Sequence, residues 1–271
     1  VAVGPHRVAE HRRGLRGGAG LRLRLQEAGE FELRLAFHVI RLSARLCRIF
    51  CGPEERIAMA NEAPACLITG GASGIGEACV RAFAAAGYRV AFGDVQVEKG
   101  EALAKKVGVN ALFHRLDVSS EADFAATVKA VLGRWGRLDC LVNNAAIAGV
   151  LGPIAEIPLE EYEYACGIIQ RSVFLGMREA ARAMQPRRRG AIVNIASVAG
   201  LAGGHGPHIY SACKAAVIGM TQSVALELAE SIPPGAQRNE AIADTARRLA
   251  SQNPKAAAEL AGMLKNLSER K

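Results

Sequence analysis

The chain has 271 residues, half of them apolar, which is enough for one good-sized domain or two small ones. Its net charge is +8, but residues 1–58 alone hold eleven arginines against six glutamates, a net of +5. The small charge that remains on residues 59–271 gives no indication of nucleic-acid binding. No uncharged apolar run of about eighteen residues occurs, so the sequence predicts no membrane-spanning helix.

Seven cysteines are scattered along the chain, odd in number and without the spacing of metal ligands. Proteins of oxidising compartments use cysteines in pairs, whereas cytosolic proteins keep their thiols reduced. The pattern therefore predicts free thiols, no metal site and a cytoplasmic location.

Residues 1–58 form a basic leader in which arginine replaces lysine completely. Three interpretations stay open: a targeting peptide, a basic arm for nucleic acid or membrane surfaces, and upstream sequence translated from too early a start. Six glutamates and few serines argue against the targeting peptide. We favour the third interpretation, because Met59 opens "MANEAPACLITGG", where an ordinary domain would begin. We accordingly expect a single domain over residues 59–271.

The first regular elements follow Met59. The apolar run "ACLIT" (65–69) predicts a buried strand, and "GGASGIG" (70–76) predicts a tight turn. An alanine-rich helix over 77–86 ends at Gly87, and "RVAFGD" (89–94) is a second strand. The order of strand, glycine-rich turn, helix, strand and acid is that of a dinucleotide-binding unit.

The chemistry of this unit explains its residues. Glycines let the backbone turn sharply and let a pyrophosphate approach the positive end of the helix. Asp94 lies 18 residues after Gly76, where its carboxylate can accept hydrogen bonds from ribose hydroxyls. A carboxylate there would repel a 2′-phosphate, and Ser73 offers no positive charge to bind one. The sequence therefore predicts NAD rather than NADP as the cofactor.

The alternation of strands and helices continues to residue 230. We expect strands over 111–118, 137–146 and 190–197, and helices within 119–136, over 158–185 and over 207–230. Such alternation predicts an α/β fold with a doubly wound parallel sheet covered by helices on both faces. Ligand-binding groups then belong at the carboxyl ends of the strands, where the sequence places Asp94, Asp117, Asn143 and Ser197.

The stretch "YSACK" (210–214) puts a tyrosine and a lysine four residues apart on a predicted helix. Residues at this spacing share one helix face, so the ammonium of Lys214 can stay close to the phenol of Tyr210. A nearby positive charge favours the ionised phenol, which can then accept a proton. The pair predicts general acid–base chemistry.

These motifs together resemble the short-chain dehydrogenase/reductase family. The resemblance spans about Ala65 to Glu230 and rests on "TGGASGIG", "LDV", "NNAA", Ser197 and the pair Tyr210 and Lys214. It implies a Rossmann-like fold and NAD(P)-linked alcohol oxidation or ketone reduction. The substrate would be a small alcohol or ketone, such as a cyclic terpenoid, steroid or dihydrodiol. The resemblance also implies homodimers or homotetramers that pair through the helices over 158–185 and 207–230.

The resemblance assigns a role to each matching residue. The pyrophosphate would lie on the turn formed by Gly70, Ser73, Gly74, Ile75 and Gly76. The adenosine half would contact Asp94, Asp117 and Val118, and the nicotinamide half would contact Asn143 and Ala145. Ser197 would bind the substrate oxygen, Tyr210 would exchange the proton, and Lys214 would hold the nicotinamide ribose and tune the tyrosine.

Two departures from the family pattern stand out. Ile169 occupies the position where the family usually has an asparagine of a water-linked proton relay, and isoleucine cannot hold a water. After residue 230 the sixth and seventh strands of the family are not recognisable, and residues 236–271 look helical. The alternative interpretation is therefore an incomplete or catalytically impaired dehydrogenase that at most binds nucleotide. His205 and His208 lie in the loop over 198–208 and are expected on its surface.

Overall fold

The computed structural model describes residues 63–230, which form a parallel sheet of five strands in the order β3-β2-β1-β4-β5. The strands are β1 (Ala65–Thr69), β2 (Arg89–Asp94), β3 (Ala111–Arg115), β4 (Cys140–Asn143) and β5 (Ala191–Asn194). The main helices are α1 (Gly74–Ala85), α2 (Val97–Val107), α3 (Glu121–Trp135), α4 (Leu159–Cys166), α5 (Ser172–Met184) and α6 (His208–Glu230). The predicted α/β fold with a doubly wound parallel sheet is confirmed.

Strand β1 shows why the sheet is covered on both faces. All five of its residues are buried, and successive side chains point to opposite faces. Cys66 and Ile68 pack in one cluster with residues of α1, whereas Leu67 packs in another with residues of α3 and α5. Each fully buried large apolar side chain stabilises the fold by about 1.5–3 kcal/mol.

The strand order reverses next to β1, because β2 lies on one side of it and β4 on the other. Loops that leave the carboxyl ends of β1 and β4 therefore diverge and open a crevice. In open α/β sheets, ligands bind in the crevice at this switch point.

Several element boundaries differ from the predicted ones. Helix α1 begins at Gly74 rather than at residue 77, so the last glycines of the turn belong to its first helical turn. Strand β3 ends at Arg115, so Asp117 and Val118 lie beyond it in the loop to α3. The predicted cap of α3 is formed by Ser120, whose Oγ accepts a hydrogen bond from the backbone N–H of Asp123 at 3.2 Å.

The helix predicted over 158–185 is interrupted. A π-helical segment, Gly167–Arg171, separates α4 from α5. Within it, Ile169 is fully buried, and after it Ser172 donates a hydrogen bond from Oγ to the carbonyl oxygen of Ile168 at 2.5 Å. Such π-helical turns occur frequently at functional sites.

Other predictions fall outside the described residues. The leader over 1–58, the start at Met59 and the helical tail over 236–271 all lie there.

Within residues 63–230, β5 is an edge strand of the sheet. The helices of this part of the chain are too short or too polar to cross a membrane.

Candidate active site

The glycine-rich turn after β1 has the conformation that a phosphate-binding turn requires. Gly70 and Gly74 have positive φ angles of 66° and 54°, which side chains rarely adopt. A Cβ on Gly76 would lie 1.9 Å from the carbonyl oxygen of Gly70, so only glycine allows α1 to approach the turn this closely. Ser73 precedes α1 without a side-chain capping bond, which leaves the first N–H groups of the helix available to an anion.

Thr69, the last residue of β1, and Asn144, which follows β4, brace this turn, a role that the sequence analysis missed. The hydroxyl of Thr69 accepts hydrogen bonds from the backbone N–H groups of Asn144 and Ala145 at 3.0 and 3.1 Å. The side-chain amide of Asn144 donates to the carbonyl oxygens of Thr69 and Gly70. Both residues lie inside motifs quoted above, Thr69 in "TGGASGIG" and Asn144 in "NNAA", and that position was their signal in the sequence.

Asp94 ends β2 beside the turn, where the sequence placed it. One carboxylate oxygen accepts from the backbone N–H of Ala72, and the other accepts from the backbone N–H of Gln96, both at 3.0 Å. A carboxylate has about four acceptor positions, so Asp94 keeps capacity for a ribose hydroxyl. The side-chain amide nitrogen of Gln96 lies 3.4 Å from both Asp94 and Ser73, and its oxygen accepts a hydrogen bond from Nζ of Lys99 at 2.7 Å.

Asp117 and Val118 lie in the loop that follows β3. The carboxylate of Asp117 accepts hydrogen bonds from the backbone and hydroxyl of Ser119 at 2.9 and 2.7 Å. The backbone N–H of Asp117 donates to Asp123, and this bond is the main cause that lowers the pKa of the Asp123 carboxyl. Val118 is buried in a cluster against which Ala145 packs, so the loop lies near the carboxyl end of β4.

Asn143 has a different environment from the one the family resemblance suggests. Its side chain is buried and donates to Oδ1 of Asn194 on β5 at 2.8 Å. A Cβ on Gly176 would lie 2.2 Å from Oδ1 of Asn143, which places this amide against α5 rather than in the crevice. That oxygen has no hydrogen-bond partner. The side chain of Asn144 instead faces the glycine-rich turn, and the cofactor role of Asn143 stays a prediction.

Tyr210 and Lys214 lie on α6, as predicted, with the Nζ of Lys214 5.7 Å from the centre of the tyrosine ring. Nζ donates a hydrogen bond to the carbonyl oxygen of Ile195 at 2.5 Å. Lys214 is only 3% exposed. Burial lowers the pKa of Lys214 to about 8, against a smaller opposing effect of Cys213.

Ser197 begins a short helical turn, Val198–Gly200, that packs on α6. A Cβ on Gly200 would lie 2.7 Å from the backbone carbon of Lys214, so the turn and the helix are in close contact. The hydroxyl of Ser197 accepts from the backbone N–H of Ala199 at 3.2 Å. Its own proton is left for another acceptor. The structure therefore brings Ser197, Tyr210 and Lys214 to the same end of β5.

Ile169 packs against this helix. It belongs to a buried cluster with Ala165, Ile209 and Cys213, and Tyr210 packs against the same cluster. The side chain that replaces the family asparagine is thus part of a dry apolar contact. Both His205 and His208 are exposed, in agreement with the sequence analysis.

Comparison with known proteins identifies the family. Residues 64–234, more than half of the chain, match the model of a family described as short chain dehydrogenase. The chain belongs to the short-chain dehydrogenase family, which confirms the resemblance seen in the sequence. This family binds nicotinamide cofactors, and the glycine cradle and the open amino end of α1 fit such a group.

Curated relatives include plant and bacterial proteins. The chain is 45% identical over 167 residues to sex determination protein tasselseed-2 of Zea mays, covering 60% of this chain and 50% of that protein. It is 41% identical over 165 residues to (+)-borneol dehydrogenase 2 of Salvia officinalis, covering 60% and 58%. It is also 41% identical over 165 residues to 3-alpha-(or 20-beta)-hydroxysteroid dehydrogenase of Mycobacterium tuberculosis (strain ATCC 25618 / H37Rv), covering 61% and 63%. The chain thus spans about half to two thirds of the length of these relatives.

A solved structure has the same fold. A variant of actinorhodin polyketide ketoreductase with NADPH superimposes with a TM-score of 0.60 at 35% sequence identity. The match covers 62% of this chain and 66% of the ketoreductase.

Proposed function

We propose that the chain binds NAD at the carboxyl edge of the sheet and transfers a hydride between it and a secondary alcohol or ketone. The observation that carries this proposal is the meeting of Ser197, Tyr210 and Lys214 at the end of β5. The glycine-rich turn and Asp94 lie on the same edge of the sheet. Bound NAD would supply the hydride acceptor for alcohol oxidation, and every other group comes from this chain.

Each of the three side chains has a defined task. The Ser197 hydroxyl already accepts from Ala199, so it donates its proton to the substrate oxygen. Tyr210 takes the hydroxyl proton as the carbon–hydrogen bond loses its hydride, and the alcohol becomes a ketone. Lys214 lies beside the ring and favours the ionised phenol when its ammonium is charged. In the direction of reduction the same steps run in reverse.

Asp94 supports NAD rather than NADP as the cofactor. Asp94 is 7% exposed at the end of β2, and its carboxylate retains acceptor capacity for ribose hydroxyls. A 2′-phosphate would meet this negative charge directly, whereas the ammonium of Lys99 is held by the side chain of Gln96. The structurally similar ketoreductase contains NADPH. The preference for NAD is therefore proposed from the residues of this chain and not from that relative.

Exposed apolar side chains support an apolar substrate. Leu151 and Ile154 follow β4, and Val198 and Leu201 follow β5; each is at least 59% exposed. The two strands are neighbours, so both loops leave the same edge of the sheet. Apolar side chains grouped near a catalytic edge favour a hydrophobic secondary alcohol of the terpenoid or steroid class, the classes named for two of the relatives.

The central experiment replaces Tyr210. Wild-type protein is supplied with NAD and a panel of cyclic secondary alcohols, and NADH absorbance is followed. Tyr210→Phe should lower turnover by about 10²–10⁴-fold while NAD binding, measured by calorimetry, stays within a few-fold of wild type. Turnover that survives undiminished in Tyr210→Phe would refute the mechanism.

A second candidate function is nucleotide binding without turnover. It is favoured by Ile169, which is fully buried in an apolar cluster at the position where the family usually has the asparagine of a proton relay. Thermal unfolding with and without NAD separates the cases. A melting temperature raised by NAD without NADH production supports the second function, and no effect of NAD contradicts both. The pairing of two copies through their long helices stays a prediction.

A further inference from the structure

Two thiols meet beside the proposed catalytic helix. The sulfur atoms of Cys166 and Cys213 are 3.5 Å apart, and both cysteines are free. Cys166 is the last residue of α4, immediately before the π-helical segment. Cys213 lies on α6, one residue before Lys214. Neither thiol has a task in the proposed hydride transfer.

The two thiols differ in access to solvent. Cys213 is 1% exposed and packs with Ile169 and Ile209. Cys166 is partly exposed and lines a groove of about 650 Å³, whose other walls include Tyr162, Gln170, Phe174 and Met220. A small solute in the groove therefore reaches Cys166 first.

The electrostatic environment agrees with this order. Burial, followed by the hydrogen bond with Cys166, raises the pKa of the Cys213 thiol to about 12. Cys213 is thus protonated at neutral pH, and a thiol reacts with an oxidant through its thiolate. Oxidation begins at Cys166, and Cys213 reacts only with a sulfur already held against it.

We propose that Cys166 and Cys213 form a redox-active pair that hydrogen peroxide converts to a disulfide, which restrains the catalytic helix. The Cys166 thiolate attacks peroxide, the O–O bond breaks, and a sulfenic acid and hydroxide form. The Cys213 sulfur then attacks the Cys166 sulfur, the S–O bond breaks, and the S–S bond forms with release of water. The two thiols lose two electrons, and peroxide gains them.

We expect closure of the bond to shift α6, the helix that carries Cys213, Tyr210 and Lys214. A disulfide is about 2.05 Å long, so the sulfurs must approach by about 1.5 Å. Cys213 adjoins Lys214 in α6, and Tyr210 packs against the cluster that contains Cys213. A misplacement of about 1 Å can cost 10²-fold in rate, so the oxidised protein should turn over roughly 10- to 100-fold more slowly. This effect on rate rests on the proposed function, whereas formation of the bond does not.

The bond can be mapped without ambiguity. The 271-residue protein is treated with hydrogen peroxide, free thiols are alkylated, and the chain is cut with trypsin and a glutamate-specific protease. Cleavage after Glu163 and Arg171 isolates Cys166 from Cys140, and cleavage after Arg189 and Lys214 releases a peptide whose only cysteine is Cys213. We expect these two peptides to be joined after oxidation and separated again by dithiothreitol.

Variants provide the controls. Cys166→Ser should abolish the linked peptides and leave Cys213 reduced at the same peroxide dose. Cys79→Ala, which removes a different buried thiol on α1, should leave the crosslink unchanged. The oxidised wild type should also unfold at a higher temperature than the reduced form, because the crosslink closes a long loop.

Three outcomes would overturn the inference. Cys166 could end as a sulfinic acid with Cys213 unlinked, or the linked peptides could contain Cys47 or Cys51 instead. A disulfide that forms while turnover stays unchanged would refute the restraint on the catalytic helix. Absence of turnover in untreated protein would refute the proposed function instead, and the peptide map would still decide whether the pair is redox-active.

Discussion

Lys214 donates a hydrogen bond from Nζ to the carbonyl oxygen of Ile195, and this bond joins α6 to the segment that follows β5. The bond orients an ammonium beside the Tyr210 ring without any contribution from a ligand. Because the lysine is buried, its charged form is disfavoured, and its pKa falls to about 8. The charge on which the proposed chemistry depends is therefore sensitive to pH in the ligand-free protein.

The lowered pKa of Lys214 predicts a pH-dependent stability. Between about pH 8 and the ordinary lysine value of 10.5, the unfolded chain binds more protons at this residue than the folded chain. The free energy of unfolding of the wild type should therefore rise with pH in this window relative to Lys214→Met. Urea unfolding of both proteins from pH 7 to 10.5 measures the difference. Lys129→Met, at an exposed position of α3, serves as the control, and curves for Lys214→Met and wild type that stay parallel would contradict the prediction.

Asp94 predicts the cofactor preference. Asp94→Ser removes the carboxylate that would accept from the ribose and repel a 2′-phosphate. Hydrogen bonds to charged groups contribute about 1.5–3 kcal/mol, so the affinity for NAD should fall roughly 10- to 100-fold and the gap between NAD and NADP should narrow. Calorimetric titration with both nucleotides measures this. Glu98→Gln, an exposed change on α2, should leave both affinities unchanged, and an unaltered preference in Asp94→Ser would exclude Asp94 as the selector.

The close contact of Gly76 with Gly70 predicts that the turn tolerates no side chain at position 76. Gly76→Ala would place Cβ 1.9 Å from the Gly70 oxygen and 2.7 Å from the Asn144 amide, so backbone must move. We expect a destabilisation of about 1–3 kcal/mol and loss of NAD binding. Gly133→Ala is the matched control, because Gly133 lies in α3 with open space around it, and it should stabilise the helix by about 0.5–1 kcal/mol. Equal stability of the two variants would show that the turn tolerates a side chain.

Asp139 forms a buried ion pair with Arg137, from which we predict a large contribution to stability. It is 1% exposed, accepts from the backbone N–H of Ala65 and pairs with Arg137 through two hydrogen bonds. Burial alone would raise the pKa of Asp139, but the bonds from Arg137 and Ala65 outweigh it and lower the value. Asp139→Ala should cost about 3–5 kcal/mol in urea unfolding, because it removes the carboxylate that pairs with the buried guanidinium of Arg137.

The contribution of the Asp139 carboxylate to stability should depend on pH. Because its folded pKa is lowered, its stabilising effect is complete above the unfolded value of about 3.9 and is lost as the pH falls below that value. The difference between wild type and Asp139→Ala should shrink in acid. Glu77→Gln, which breaks an exposed pair with Arg81, should cost at most about 0.5 kcal/mol at any pH. A difference for Asp139→Ala that stays constant down to pH 2.5 would contradict this account.

The elements around the nucleotide turn were predictable because their signals are local. Apolar runs indicate β1 and β2, and the spacing of glycines indicates the turn between β1 and α1, all within a few residues. The pairing of Tyr210 with Lys214 follows from helical spacing alone. Isoleucine has no hydrogen-bonding group, so the departure at Ile169 was readable from the sequence, and the structure adds that this side chain is fully buried.

Other features depended on neighbours distant in sequence. In β4, residues 140–142 are all apolar, so no alternation indicates which of the two following asparagines faces the crevice. Leu141 packs toward α5, and Asn143 lies on the same face of the strand. Asn144 therefore points to the opposite face, toward the glycine-rich turn. The π-helical segment and the meeting of Cys166 with Cys213 likewise required the packing of α4 on α6.

The amino-acid sequence by itself determined the family, the order of strands and helices and the residue types of the proposed catalytic set, because each depends on short-range spacing. The tertiary structure alone decided which asparagine braces the turn, which carbonyl holds Lys214 and which thiols touch. Those outcomes arise from side-chain direction at the ends of packed elements, and that direction is set by contacts between segments far apart along the chain.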